Sequence, residues 1–218
     1  MPIKAFCFWS GGRESCLCFD RAVREGIAIS SLFSLLGRGA VGGVACGLPQ
    51  WLLERQASAM RTPIACQEAG CADGEYEKSY EGQLKLFSEQ GYDIGIFDDI
   101  DGEERKKLAE VLCAQFALKL ISPLWRLPRG RVISEFIGLG YQAVVVKIKK
   151  GMMPTSFLGR AFDDDMIADL RALGIDPCAA SGTFGTFVAD GPIFRHRVRY
   201  NVDGFEESGG YVSLKLRM

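Results

Sequence analysis

"CFWSGGRESCL", residues 7–17, begins as an apolar strand and ends as the first turn of a helix, with Ser10, Gly11 and Gly12 at the junction. Two adjacent glycines let the backbone turn sharply with no Cβ in the way, so successive N–H groups can converge on an anion. Ser10 and Ser15 add hydroxyls and Arg13 a cation. The helix that follows contributes the positive end of its dipole. The stretch is neither a Walker A loop nor G-x-G-x-x-G. Phosphate binding is the favoured reading, and a plain strand-to-helix turn is the alternative.

Outward from this loop, the first half alternates strand-like and helix-like segments, the pattern of a parallel sheet with helices on its faces. "IKAFCFW" (3–9) is nearly continuous in apolar residues, as a strand buried on both sides requires. "IAISSLFSLL" (27–36), "TPIAC" (62–66), "DIGIFDDI" (93–100) and "LKLISPLW" (118–125) read as further strands, with amphipathic helices between them. The glycine-rich "GRGAVGGVACG" (37–47) reads as a mobile loop. Past Trp125 the pattern changes to a helix, a strand "YQAVVVKIKK", a loop with Pro and Gly, an Asp-led helix and alternating strands. The expectation is therefore an α/β, Rossmann-like domain over 1–125 and a smaller α+β domain over 126–218. The cleft between them is the default site.

The bulk composition restricts the function classes. A 218-residue chain that is 48% hydrophobic and 24% charged can bury a real core, and no apolar run approaches the length of a membrane span. The N-terminus lacks the sections of a signal peptide, which places the chain in the cytoplasm. A net charge of -1 argues against nucleic acid as a partner, although a local basic patch remains open. Eight cysteines show no paired C-x-x-C arrangement, and His196 is the only histidine. Neither a zinc site nor a Ser-His-Asp triad is favoured on that count.

The order S-G-G-x-x-S after a first buried strand resembles the pyrophosphate loop, S-G-G-K-D-S, of the N-type ATP pyrophosphatases. "GEYEKSYEGQL", "FDDI", "SPLW", "SFLGRAFD" and "GTFGTFVADGPIF" then follow in the order seen in the diphthine-ammonia ligase family. The resemblance covers nearly the whole chain. It implies an adenine-nucleotide alpha-hydrolase-like (HUP) fold, ATP and Mg²⁺ as cofactors, and cleavage of ATP between its α and β phosphates. The substrate would be a small-molecule or protein-borne carboxylate that is adenylated and then amidated by ammonia. Ser10, Gly11, Gly12, Arg13 and Ser15 would bind the nucleotide. Arg13, Glu14, Asp99 and Asp190 would carry the chemistry, with Glu75, Tyr76, Gly159, Arg160 and Thr186 on the substrate side.

Departures from the family pattern are local. Arg13 stands for its lysine and Glu14 for its aspartate, which keeps the charges and changes their geometry. Three tail glutamates of the family fall on Ala180, Thr183 and Gly185, and Cys46 stands where relatives carry histidine. Asp99 matches the family aspartate, while Asp98 adds a carboxylate where relatives have glycine. Lost carboxylates threaten chemistry more than nucleotide binding, so a nucleotide-binding protein with weakened catalysis is the first alternative. A tRNA-modifying ATP pyrophosphatase is the second.

Three further stretches admit two readings each. Cys16 and Cys18 sit beside the loop, where a helix N-terminus can activate a thiolate, but core packing is favoured. "CADGEYEKSY" is either the substrate side or simply an acid-rich helix start. "RHRVR" (195–199) places Arg195, Arg197 and Arg199 on one face of a strand, either solvated or a contact surface for an acidic macromolecule.

Overall fold

Four residues, Ala-Phe-Cys-Phe, form β1 (Ala5–Phe8), and their near-complete burial follows from a strand covered on both faces. The computed structural model describes residues 3–37, 47–69, 74–179 and 182–218. Around β1 lie β2 (Ile29–Gly37), β3 (Ile64–Ala69), β4 (Ile94–Ile96) and β5 (Lys119–Ile121), in the spatial order β3-β2-β1-β4-β5. All neighbouring pairs are parallel. The helices between them are α1 (Arg13–Arg24), α2 (Gln50–Met60), α3 (Glu75–Glu89) and α4 (Glu103–Gln115). This is the doubly wound, Rossmann-like sheet expected from the alternation of segments.

Two apolar layers cover the sheet. On one face Leu17 of α1 and Leu52 and Leu53 of α2 join Cys7 and Trp9. On the other, Tyr80, Leu84 and Phe87 of α3 and Leu112 of α4 pack on Phe6 and Phe33. Phe6 stacks on Phe87 with ring centroids 4.2 Å apart. The chain builds outward from β1 to β3, then returns to place β4 on the other side of β1. The loops after β1 and β4 therefore diverge, and the crevice between them is the topological switch point where open α/β sheets bind ligands.

The second half adds α5 (Arg129–Gly138), β6 (Gln142–Lys149), α6 (Asp164–Ala172), β7 (Phe184–Asp190), β8 (Asn201–Ser208) and β9 (Tyr211–Arg217). Its strands form an antiparallel sheet in the order β7-β6-β9-β8. The glycine pair Gly209–Gly210, both at positive φ, closes the β8–β9 hairpin that "EESGG" suggests. Asp163 caps α6 by accepting from Met166 N at 2.9 Å, which explains the Asp-led start of that helix.

This second sheet lies on the α1–α2 face, and Val145, Phe187 and Met166 belong to the same apolar cluster as Leu17 and Leu53. Helix α1 is consequently enclosed on both sides. That enclosure buries Cys16, Leu17, Cys18 and Phe19 in succession, and burial pushes the Cys18 thiol well above its ordinary range. Core packing accounts for both cysteines.

Residues 195–200 differ from the expected strand. Arg195 N donates to Ala59 O and Val198 N to Ala189 O, drawing this backbone onto the end of α2 and onto β7. The segment is irregular, and His196 is exposed together with the arginines, leaving Val198 alone buried. The glycine-rich loop expected at 37–47 lies, apart from its ends, outside the described residues, as do Cys46, Cys71 and Ala180. No helix among the described residues is long and apolar enough to cross a membrane.

Candidate functional site

The loop after β1 is locked by its own side chains. Ser10 Oγ donates to Ser15 Oγ at 3.1 Å, Ser15 Oγ donates to Gly12 O at 3.1 Å, and Gly12 N donates back to Ser10 Oγ at 3.3 Å. This closed ring fixes the turn that leads into α1. Gly12 is the N-cap of α1 and has no side chain to satisfy the helix's first amides. First-turn N–H groups lack intrahelical acceptors, so an uncapped N-terminus at a switch point is suited to an anion.

Gly11 adopts φ +74°, and a Cβ there would meet Gln56 Oε1 at 2.6 Å and Leu48 Cδ1 at 2.7 Å. Only glycine fits. Gln56, fully buried on α2, explains the crowding. Its Nε2 donates to Gly11 O at 3.0 Å and to Val188 O at 2.7 Å, while its Oε1 accepts from Trp9 Nε1 at 3.0 Å. Val188 N also donates to Gly11 O, at 3.1 Å. One glutamine thus ties the loop, α2 and β7 together. Sequence reading passed over it, although a glutamine among Leu52, Leu53, Ala57 and Met60 breaks the apolar face of that helix.

Arg13 is only 5% exposed and turns away from the switch point toward the second sheet. Its Nε donates to Thr186 Oγ1 at 3.2 Å and its Nη1 to Pro177 O at 2.9 Å. The guanidinium lies over the Phe162 ring, 3.9 Å from its centroid, and Nη2 pairs with Glu14 at 3.3 Å. A planar fork can serve these partners at once, whereas an ammonium cannot. Of the expected binding residues, Ser10, Gly11, Gly12, Arg13, Ser15 and Thr186 therefore stand together, with the guanidinium facing β7.

The acids divide. Asp98 and Asp99 lie side by side in the irregular stretch after β4 and differ in their surroundings. Asp99 is buried and pairs with Arg105 at 3.1 Å. Asp98 is electrostatically coupled to Cys7, Cys18 and Glu14. Burial pushes its carboxyl up to about 7, the charges of Asp99 and Glu14 add to the shift, and Arg105 opposes it. Asp98, the residue where the resembling family has glycine, is thus electrostatically coupled to Glu14 in the first turn of α1.

The remaining expected residues are spread out. Asp190 ends β7, four positions beyond Thr186, and its Oδ1 accepts from Gly191 N at 2.9 Å, stabilising a turn. Gly159 N donates to Val145 O, and Arg160 pairs with Asp169 of α6 at 2.8 Å, on the side of β6 opposite β7. Glu75 is exposed at the start of α3, at the same edge of the sheet as the loop but beyond β2 and β3. The Tyr76 side chain lies outside the described residues. Among the described residues no group of three His, Cys, Asp or Glu side chains is arranged to hold a metal ion.

A parallel sheet with a glycine-serine loop entering an uncapped helix at the switch point, covered by a second sheet, defines a Rossmann-like α/β protein with a candidate anion site. Residues 3–120 match the diphthamide synthase N-terminal domain, and residues 129–215 match the diphthamide synthase C-terminal domain. The chain belongs to the diphthamide synthase family. It is 25% identical over 215 residues to the diphthine–ammonia ligase of Danio rerio, covering 87% of this chain and 83% of that protein. The Bos taurus diphthine–ammonia ligase is 24% identical over 216 residues, with 87% and 79% covered.

Proposed function

We propose that this chain is an ATP-dependent amide-forming ligase of the diphthine–ammonia ligase kind. The observation that carries the reading is the Ser10–Ser15 loop at the β1/β4 switch point, with its uncapped α1 N-terminus. ATP supplies the leaving group: a carboxylate oxygen attacks the α-phosphorus and pyrophosphate departs. Ammonia then attacks the acyl carbon, AMP leaves, and one proton is released as the amide forms.

In this reading the first-turn amides of α1 hold phosphate oxygens, and the Ser10–Ser15–Gly12 ring keeps them aimed. A Cβ at Gly12 would make only ordinary contacts, 3.4 Å from Ser10 Oγ and Thr186 O, but it would stand at the mouth of α1 where a phosphate would approach. Arg13 holds β7 over the loop and leaves charge neutralisation to the helix terminus and a cation. Residues 1–125 would carry the nucleotide, and residues 126–218 would close on it from the substrate side.

The donor set suits magnesium that arrives with the nucleotide, since Mg²⁺ is commonly held by one or two carboxylates plus substrate phosphates. Asp98 and Glu14 would supply those carboxylates, and the bound ion would neutralise charge on the departing pyrophosphate. Burial is the main reason the Asp98 carboxyl is raised, and a cation would offset both that and the smaller repulsion from Asp99 and Glu14.

The test is pyrophosphate release with ATP, Mg²⁺ and ammonium, run against a diphthine-bearing protein and against pools of small carboxylic acids. Release that needs both a carboxylate and ammonium is expected. ATP binding without release in any pool would favour a nucleotide-binding protein instead. One observation points that way: Thr183 and Gly185 on and beside β7 carry no carboxylate.

A further inference from the structure

Eight described arginines, among them Arg13, Arg21, Arg105, Arg129 and Arg160, are ion-paired with a carboxylate. Seven are not, and five of those seven, Arg55, Arg61, Arg195, Arg197 and Arg199, fall on two segments that touch. The touching point is the bond from Arg195 N to Ala59 O, 2.8 Å. Arg55 lies one turn before Ala59 on the same helix face, and Arg61 follows the helix end. Beyond Arg195, Arg197 and Arg199 flank buried Val198 and are both exposed, with Arg197 Nη1 donating to Gln142 Oε1 at 2.9 Å. All five are exposed.

Like charges repel, and a chain of net charge -1 has carboxylates enough to pair them. Two acids on the same elements are already engaged: Glu54 accepts from Gln50, and Asp190 holds the Gly191 turn. Glu54 and Arg61 border the same shallow surface depression at the end of α2. The patch keeps a positive excess after both acids are counted.

We propose that this surface binds the phosphate backbone of single-stranded RNA. Two features favour phosphodiester over acidic protein. The cations are all arginines, whose fork matches phosphate oxygens two at a time. An aromatic ring also stands in line with them: Trp51, Arg55 and Ala59 follow at four-residue steps, and the Arg55 guanidinium lies 5.6 Å from the centre of the partly exposed Trp51 ring. Cations interleaved with a stackable ring are the elements of a sequence-tolerant single-strand site. Of these residues, Arg61 sits where α2 runs into β3, and Trp51 sits in the first turn of α2.

The test is fluorescence anisotropy of a labelled oligouridylate of about twelve nucleotides, without ATP, at a series of salt concentrations. With three to five phosphates neutralised, log K should fall against log salt with a slope of roughly -2 to -3.5. Changing Arg195, Arg197 and Arg199 together to Gln should lower affinity at least tenfold and flatten the slope by about 2. Arg131→Gln with Arg171→Gln, the two other arginines without an ion pair among the described residues, should leave affinity within twofold. Absence of saturable binding at low salt overturns the proposal, as does a triple variant that binds like the original. Equal or tighter binding of a polyglutamate of matched charge also overturns it, and assigns the surface to an acidic protein.

Discussion

Arg13 Nε donates to Thr186 Oγ1 across 3.2 Å, and this bond fastens the loop after β1 to a strand 173 positions later in the chain. The same guanidinium reaches Pro177 O and covers the Phe162 ring, so one side chain joins three parts of the second half to the loop. Arg13→Ala should cost roughly 2–4 kcal/mol, because it removes charge-assisted hydrogen bonds and a desolvated cation–π interaction together. Arg13→Lys should recover little of it, because an ammonium cannot donate in two fixed directions while lying flat on a ring. Urea midpoints decide this, and a lysine variant as stable as the original would sink the idea.

Gly11 and Gly12 should behave differently on substitution. Gly11→Ala sets a Cβ at φ +74° within 2.8 Å of Gln56, Leu48 and Leu53 side-chain atoms, for a loss of roughly 2–4 kcal/mol. Gly12→Ala meets its nearest atoms at 3.4 Å, so the fold should survive. Its cost should appear in nucleotide affinity, as the new methyl stands at the mouth of α1. Melting curves and ATP calorimetry on the two variants separate these effects, and a Gly12→Ala protein with full ATP affinity would count against the loop as the phosphate site.

Asp98 gives the site a pH dependence. Its carboxyl titrates at about 7 in the folded protein against the ordinary 3.8, so the folded state holds a proton that the unfolded chain has released. Stability therefore declines as pH rises from about 4 to about 7, and Asp98→Asn should remove that decline. At pH 8 the variant should be the more stable by ~1–2 kcal/mol, allowing for screening of a partly exposed group, and at pH 4 the two should coincide. Mg²⁺-dependent ATP binding should run the other way in the original protein, strengthening up to neutral pH as Asp98 becomes anionic. Parallel stability–pH curves for the two proteins would show that Asp98 is not the group responsible.

The parallel sheet was legible in the sequence because strands buried on both faces show as apolar runs, and "IKAFCFW" and "DIGIFDDI" are such runs. The loop was legible because serine-glycine-glycine before a helix has few structural uses. The orientation of Arg13 was not, since it depends on Phe162 and Thr186, which arrive from the second half. Gln56 escaped for the same reason: its partners Trp9, Gly11 and Val188 lie on three separate elements. Adjacent Asp98 and Asp99 could not be told apart until the path of the chain after β4 showed which one meets Arg105. "RHRVR" alternates like a strand, but its amides are taken by Ala59 and Ala189 outside any ladder.

The tail bears on rate more than on binding. Along β7, Phe184 and Thr186 face Arg13, so alternation turns Thr183 and Gly185 to the other side. Gly185 stands opposite Lys147 on β6, where a glutamate would meet an ammonium across the pair. A positioned acid–base group contributes ~10²- to 10⁴-fold in rate, so its absence predicts slow amide formation with ATP affinity intact. Replacing Ala180, Thr183 and Gly185 together by Glu should raise AMP formation at least ~10²-fold while ATP affinity stays within a few fold. Thr183 is buried, so the single Gly185→Glu variant serves as the control for a triple variant that folds poorly. An original protein that already turns over a carboxylate at ~10 s⁻¹, an ordinary enzyme rate, would mean that carboxylates at these positions are not needed, and that Asp98 and Glu14 suffice.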